Sequence, residues 1–200
     1  MLNQDTTILS CQTLEIPAGQ ELQTNHFTLT NNGTINVRGT IRNAQDTFGN
    51  NSITINNGTI NIFSTGTIVA VDSGSIITNN GVVNNYGDFF CQTYGIINNN
   101  TGGQINNYSF DSGGNGGFRL NAEGTFNNVG VFINNTSATI KNAFDATIYN
   151  YGGGLITNNG DITNNGIINN ANGSSTCGVG TINGIGIITG TETVGTNCPP

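Results

Sequence analysis

The sequence predicts an all-β fold, a single-stranded parallel β-helix (β-solenoid) of about eight coils of roughly 18–24 residues. Three observations predict it. A short apolar stub followed by Asn-Asn-Gly recurs: Leu29-Thr-Asn-Asn-Gly-Thr-Ile35-Asn-Val37, then Ile53-Thr-Ile-Asn-Asn-Gly-Thr-Ile60-Asn-Ile62, then Ile76-Ile-Thr-Asn-Asn-Gly-Val-Val83-Asn-Asn85. Apolar anchors recur at steps of six to eight residues, at Ile60, Ile68, Ile76, Val83, Phe90, Ile97 and Ile105, and later at Phe126, Phe132, Ile140, Ile148, Ile156, Ile162 and Ile168. Finally, 37 Asn and 30 Gly make up a third of the 200 residues, while only 8% are charged, against about 25% in ordinary soluble domains.

One unit explains itself chemically. In Thr-Ile-Asn, side chains alternate, so Ile faces one way and Thr and Asn the other. Asn and Gly accept positive φ and turn the chain. A three-residue strand has no stability alone and must pair with the strand one coil away. Three steps make one coil. A strict six-residue step would indicate a left-handed hexapeptide helix. The irregular steps indicate a right-handed one with loops at its corners. Stacked Asn at equivalent turns can bond amide to amide along the axis.

The elements follow in order within a single domain, residues 1–200. Residues 1–27 form an entry coil or N-terminal cap, 28–170 the repeat coils, and 171–200 the C-terminal coil and tail. Two insertions, 43–50 and the Gly-rich 111–117, are expected to loop out, as solenoid loops do where they carry a binding face. Eight coils at ~4.8 Å give a rod of about 40 Å. In its Asn-Gly-Thr-Ile-Asn repeats and the opening Leu14-Glu-Ile16-Pro-Ala-Gly19 corner, the chain resembles, over about residues 8–190, β-solenoid surface and secreted proteins of microbes and large DNA viruses. The resemblance implies the fold and an exposed structural or adhesive role. It supplies no functional residues.

Composition excludes several functions. Net charge is −7 and the basic residues are Arg38, Arg42, Arg119 and Lys141 alone, too few and too scattered to replace counterions on nucleic acid. No apolar run approaches the length of a membrane span. The start, Met1 to Asp5, has no basic or apolar leader region, so a secretion signal is either removed from this numbering or not needed. Four cysteines without metal-type spacing suit an oxidising, extracellular or cell- or virion-surface location.

The cysteines are disulfide candidates. Cys177 and Cys198 are separated by about the length of one coil and could clasp the C-terminal end. Cys11 and Cys91 lie near four coils apart, ~19 Å along the axis, beyond the roughly 7 Å that a disulfide spans. Cys11 could instead bond between molecules, or both could be buried free thiols. Eight sequons are glycosylation candidates: Asn32, Asn50, Asn57, Asn99, Asn107, Asn134, Asn135 and Asn172. So Asn- and Thr-rich a chain also generates such triplets by chance.

No catalytic, cofactor or metal set is expected. His26 stands alone. Asp72 with Asp88, and Asp145 with Asp161, are separated by a little less than one coil. Either could share a face as a glycosidase-like pair, although solvated acids are the simpler reading. The expectation is a non-enzymatic extracellular structural protein whose open ends stack head-to-tail into a filament, sheath or fibre. The alternative is a monomeric or trimeric adhesin that binds glycans through Tyr86, Tyr94, Tyr108, Tyr149 and Tyr151. An enzyme acting on polysaccharide ranks last.

Overall fold

The computed structural model describes residues 1–44, 49–109, 116–171 and 173–190. The chain is an all-β parallel β-helix of about eight coils, built of three sheets. Sheet I stacks nine strands: Thr6–Ile8, Thr28–Asn31, Ser52–Asn56, Ser75–Asn79, Ile96–Asn99, Thr125–Asn128, Thr147–Asn150, Ile167–Asn170 and Ile187–Gly190. Sheet II runs over eight strands from Thr13–Ile16 to Ser175–Cys177, and sheet III over eight from Glu21–Gln23 to Thr181–Asn183. Each coil gives one strand to sheets I, II and III in turn, so every ladder is parallel and every partner lies one coil away.

Register keeps chemically equivalent residues in columns. In sheet II, Ile35 pairs with Ile60, Ile60 with Val83, Val83 with Ile105, Ile105 with Phe132 and Phe132 with Ile156. Coil length varies between the short step from Glu21 to Thr40 and the long step from Asp88 to Gly117. The spread is wider than expected because corners absorb insertions without disturbing the ladders. The two insertions fall largely outside the described residues. Residues 1–27 contain the first coil, whose Thr6, Leu14 and Glu21 pair directly with Leu29, Ile35 and Thr40.

The repeat presents four residues per strand, typically in an outward, inward, outward, inward order. The second position carries the apolar core. The fourth is an inward Asn, where simple alternation in Thr-Ile-Asn assigns Asn to the outer face. Asn31, Asn56, Asn79, Asn99, Asn128, Asn150 and Asn170 form one unbroken buried column at the end of the sheet I strands. Each Nδ2 donates to the next Oδ1 at 2.7–2.9 Å. The second Nδ2 proton of Asn31, Asn56, Asn79, Asn99, Asn128 and Asn150 reaches a backbone carbonyl where sheet II begins in the coil above, such as Val82 O or Val131 O. A buried amide is tolerated only when its donors are used, and here both are. A shorter column, Asn85, Asn107, Asn134 and Asn158, ends sheet II, and Asn142 donates to Asn164 at the end of sheet III. Nearer the N-terminus, Val37, Ile62, Ala70, Cys91 and Leu120 occupy such positions instead.

The ladder corrects two anchors. Phe89 and Ile77 are buried, and the expected Phe90 and Ile76 face outward. Both sit in apolar doublets, where period-two alternation alone cannot choose a face. Register decides: Phe89 aligns with Ile68, and Ile77 with Ile97. Similarly, Asn56 takes the ladder position in Ser52–Asn56. Parity then sends Ile53 and Ile55 outward and buries Thr54, whose hydroxyl donates to Asn43 Oδ1 at 2.9 Å. Mid-rod, Phe89, Phe118, Phe126 and Phe132 fill the core edge-to-face at 4.8–5.5 Å, the favoured arrangement of aromatic rings.

The glycine of Asn-Asn-Gly also has a different reason from the expected one. Gly33, Gly58 and Gly81 are absent from the positive-φ residues. They pass so close to the coil below that a Cβ on Gly58 would run into the Gly33 carbonyl, and one on Gly81 into the Gly58 carbonyl. Those carbonyls accept Thr59 N and Val82 N at 2.9 Å. Glycine is required by the approach of stacked backbones.

Candidate functional site

The side of the rod where sheet II turns into sheet III carries a column of planar side chains. Val37, Ile62, Asn85 and Asn107 align through the sheet II ladder, so the residues after them, Arg38, Phe63, Tyr86 and Tyr108, occupy equivalent corners of successive coils. The Arg38 guanidinium lies 3.9 Å over the Phe63 ring and is held by Glu15 at 2.9 Å. Tyr86 and Tyr108 stack with centroids 4.6 Å apart and planes 7° from parallel. The separation is close to the strand spacing, so the backbone itself sets the stack. The two tyrosines remain 49% and 42% exposed.

Beside the stack lies a cavity of about 640 Å³, walled by Tyr86, Tyr108, Ser64, Thr65, Thr67 and Asp88. This is within the roughly 300–1,000 Å³ of small-molecule sites. The Asp88 carboxylate is bridged by Arg119, whose Nε donates to Oδ1 at 3.0 Å. Their side chains are only 17% and 12% exposed, and the Arg119 guanidinium also lies over Phe90 at 4.6 Å. The charges near the cavity are thus neutralised locally. Thr65 Oγ1 donates to Arg38 O at 2.9 Å. Among the described residues, the hydroxyls of Ser64, Thr67, Tyr86 and Tyr108 make no hydrogen bond, and the chemistry on offer is hydroxyl and aromatic.

The other tyrosines do not extend this strip. Tyr149 is on the outer face of sheet I and approaches Tyr151 at 6.2 Å, while Tyr151 bonds Asn127 at 3.2 Å. Tyr94 lies at the corner between sheets III and I, where its hydrogen bond to the Glu123 carboxylate and that group's charge raise its pKa. The acid pairs straddle sheet III. Asp88 and Asp161 begin strands, while Asp72 and Asp145 follow the ends of strands at positive φ. Neither pair converges on a groove. Among the described residues, no cluster of His, Cys, Asp or Glu could hold a metal.

The remaining candidates divide by burial. Asn99, Asn107 and Asn134 are fully buried ladder members, so a glycan cannot be carried there in the folded rod. Asn32, Asn50 and Asn57 are exposed, Asn135 is half-buried, and Asn172 lies outside the described residues. Sequence reasoning misses this division because strand parity, not the triplet, decides which Asn faces inward. Cys11 is an exposed free thiol and Cys91 a buried one, its pKa pushed up to about 12 by burial. Cys177 is buried at the end of the last strand of sheet II and is not among the free thiols. Cys198 lies outside the described residues.

Among the described residues, apolar side chains at both ends of the rod are only partly buried. Leu14 and Leu22 of the first coil and Ile182 and Ile188 of the last pack against the core in this way. Near the last coil, Ile185 and Ile187 are 87% and 60% exposed. The outermost strands of each sheet have a partner on one side only among the described residues. At the C-terminal end the Asn170 Nδ2 is buried without an acceptor among the described residues. No family model and no curated protein sequence matches the chain.

Proposed function

We propose that this chain is an extracellular structural subunit that assembles head-to-tail through its ends into a filament, sheath or fibre. The observation that carries the reading is the pair of rod ends: among the described residues the outermost strands pair with a strand on one side only, over half-buried Leu14 and Leu22 at one end, where Leu2 N donates to Gln23 O, and over Ile182 and Ile188 at the other. Such edges template further strands, and a head-to-tail contact between unlike surfaces does not close. The partner is a second copy of the chain. Cys177 and Cys198 form a disulfide that clasps the C-terminal end, and the exposed Cys11 thiolate of the next copy exchanges into it, forming a mixed disulfide across the joint and releasing one of the pair as a thiol. Exposed Asn32, Asn50 and Asn57 carry glycans on the outer face.

Electron microscopy of the purified protein in oxidising buffer, then after reduction, tests this. Unbranched filaments with an axial repeat of about 40 Å, from eight coils at strand spacing, are expected. Their loss on reduction would place cysteine at the joint. Discrete short rods at all concentrations and in both buffers would remove the reading.

A further inference from the structure

We propose that the Tyr86–Tyr108 corner is a binding site for a neutral, linear polysaccharide lying parallel to the rod axis. The inference goes beyond end-to-end assembly, since the site lies on the flank and needs neither end.

The walls of the cavity set what can fill it. Two stacked, half-exposed phenol rings form one wall, and their edges and hydroxyls suit the C–H surfaces and hydroxyls of a pyranose. Ser64, Thr65 and Thr67 also line the cavity, and their hydroxyls both donate and accept. A sugar carries many groups of that same dual kind. The Ser64 and Thr67 hydroxyls and both phenol oxygens have no protein partner among the described residues, and a polyhydroxyl ligand would supply partners to them.

Charge selects among ligands. Single-stranded nucleic acid also stacks on aromatic residues, but it needs a positively charged groove. Here Arg38 is held by Glu15 and Arg119 by Asp88, in a chain of net charge −7. An acidic glycan meets the same objection. An apolar peptide would bury the Ser and Thr hydroxyls unpaired. A neutral glycan fits every wall.

Spacing gives the orientation. Tyr86 and Tyr108 lie one coil apart, with centroids 4.6 Å apart along the rod, and this rise is close to the length of one pyranose residue in an extended glycan. A chain running along the axis therefore meets the edge of one tyrosine per sugar across these two coils, and binding strengthens with chain length.

The test is titration of the full chain with cellohexaose, xylohexaose, chitohexaose and maltohexaose, read by amide chemical shifts in two-dimensional NMR. At least one hexasaccharide should shift the amides of Thr65, Tyr86 and Tyr108, and bind at least tenfold tighter than its disaccharide. The variant Tyr86→Ala/Tyr108→Ala should weaken binding by tenfold or more with an unchanged circular dichroism spectrum, and Tyr149→Ala should not. Ser64→Arg, at an exposed position facing the cavity, blocks the site without touching the rings and should also abolish binding. It keeps the test decisive if the double variant fails to fold. Four hexasaccharides that move none of these amides up to millimolar concentration would overturn the proposal. So would binding that survives Ser64→Arg, or a preference for an acidic hexauronate. Filament formation by the same sample is unaffected by either result, so the two proposals fail separately.

Discussion

Replacing Asn99 with Ala should destabilise the rod by roughly 3–5 kcal/mol, a large part of the roughly 5–15 kcal/mol of a typical domain. Asn99 is fully buried in the middle of the sheet I column. It accepts from Asn79 Nδ2 at 2.8 Å and donates to Asn128 Oδ1 at 2.7 Å and to Val131 O at 3.1 Å. Asn79 would keep Gly81 O and Gln104 O as acceptors, so its donors stay in use. Asn128 Oδ1 would lose its donor, at about 1–3 kcal/mol, and the lost carbonyl bond adds about 1 kcal/mol. The emptied side-chain volume adds the remainder. The control is Asn98→Ala, one residue away but facing outward, where Oδ1 accepts from Asn127 at 2.9 Å. Water can replace that bond, so the cost should stay at about 0.5 kcal/mol. Urea unfolding followed by circular dichroism measures both, with midpoint and slope compared because stacked coils can unfold in segments. Asn99→Asp sharpens the test: it removes both donors and buries a carboxylate whose pKa must rise. Its stability should therefore improve as pH falls toward 4 and the group protonates. If Asn99→Ala and Asn98→Ala differ by less than about 0.5 kcal/mol, the buried column does not hold the coils together.

Three further outcomes are expected. Gly58→Ala should force the coil off the Gly33 carbonyl and cost about 1–3 kcal/mol or more in thermal unfolding, whereas Gly102→Ala, in open space at φ +84, should cost only about 1 kcal/mol of backbone strain. Cys91 has its pKa raised from 9.0 to about 12 by burial. Its contribution to stability should be fully present below pH 9 and lost as pH rises toward 12, at up to roughly 1.4 kcal/mol per pH unit; iodoacetamide at pH 8 should label Cys11 at once and Cys91 only on unfolding. Arg119→Met should take the guanidinium away from the largely covered Asp88 carboxylate and cost about 1–3 kcal/mol in urea unfolding, with little dependence on salt because both side chains are largely shielded.

Much of this architecture is legible in the sequence because the repeat encodes both of its periods. The coil period appears in the recurrence of Asn-Asn-Gly, and the strand period in Thr-Ile-Asn. What is not legible is which of two adjacent residues faces inward. Ile76 and Ile77 are chemically identical, and only the column they join separates them. Asn56 is harder still: a polar residue outranks two isoleucines for the interior because the column below and above it is already amide. The Tyr86–Tyr108 stack is legible as two exposed tyrosines and not as a pair, since their distance along the chain becomes one coil only once the register is known. Tyr149 and Tyr151, far closer in sequence, sit farther from each other, at 6.2 Å.

The amide columns also give the rod a direction. In the inner column every Nδ2 donates toward the C-terminal end, leaving Asn170 as the donor terminus. On the outer face of sheet II, Asn106 donates to Asn84, Asn84 to Asn61 and Asn61 to Asn36, the opposite sense. That column ends at the first coil, where Asn36 Nδ2 donates to the Glu15 carboxylate at 2.6 Å. A carboxylate at a row of aligned N–H donors repeats the arrangement that favours acids at helix N-termini. The outer donor end is therefore closed by the chain's own acid, whereas the inner donor end, at Asn170, is shut in beneath the last strand of sheet I, where Asn170 aligns with Gly190. The two columns thus run in opposite senses, and among the described residues neither ends in an amide row open to solvent.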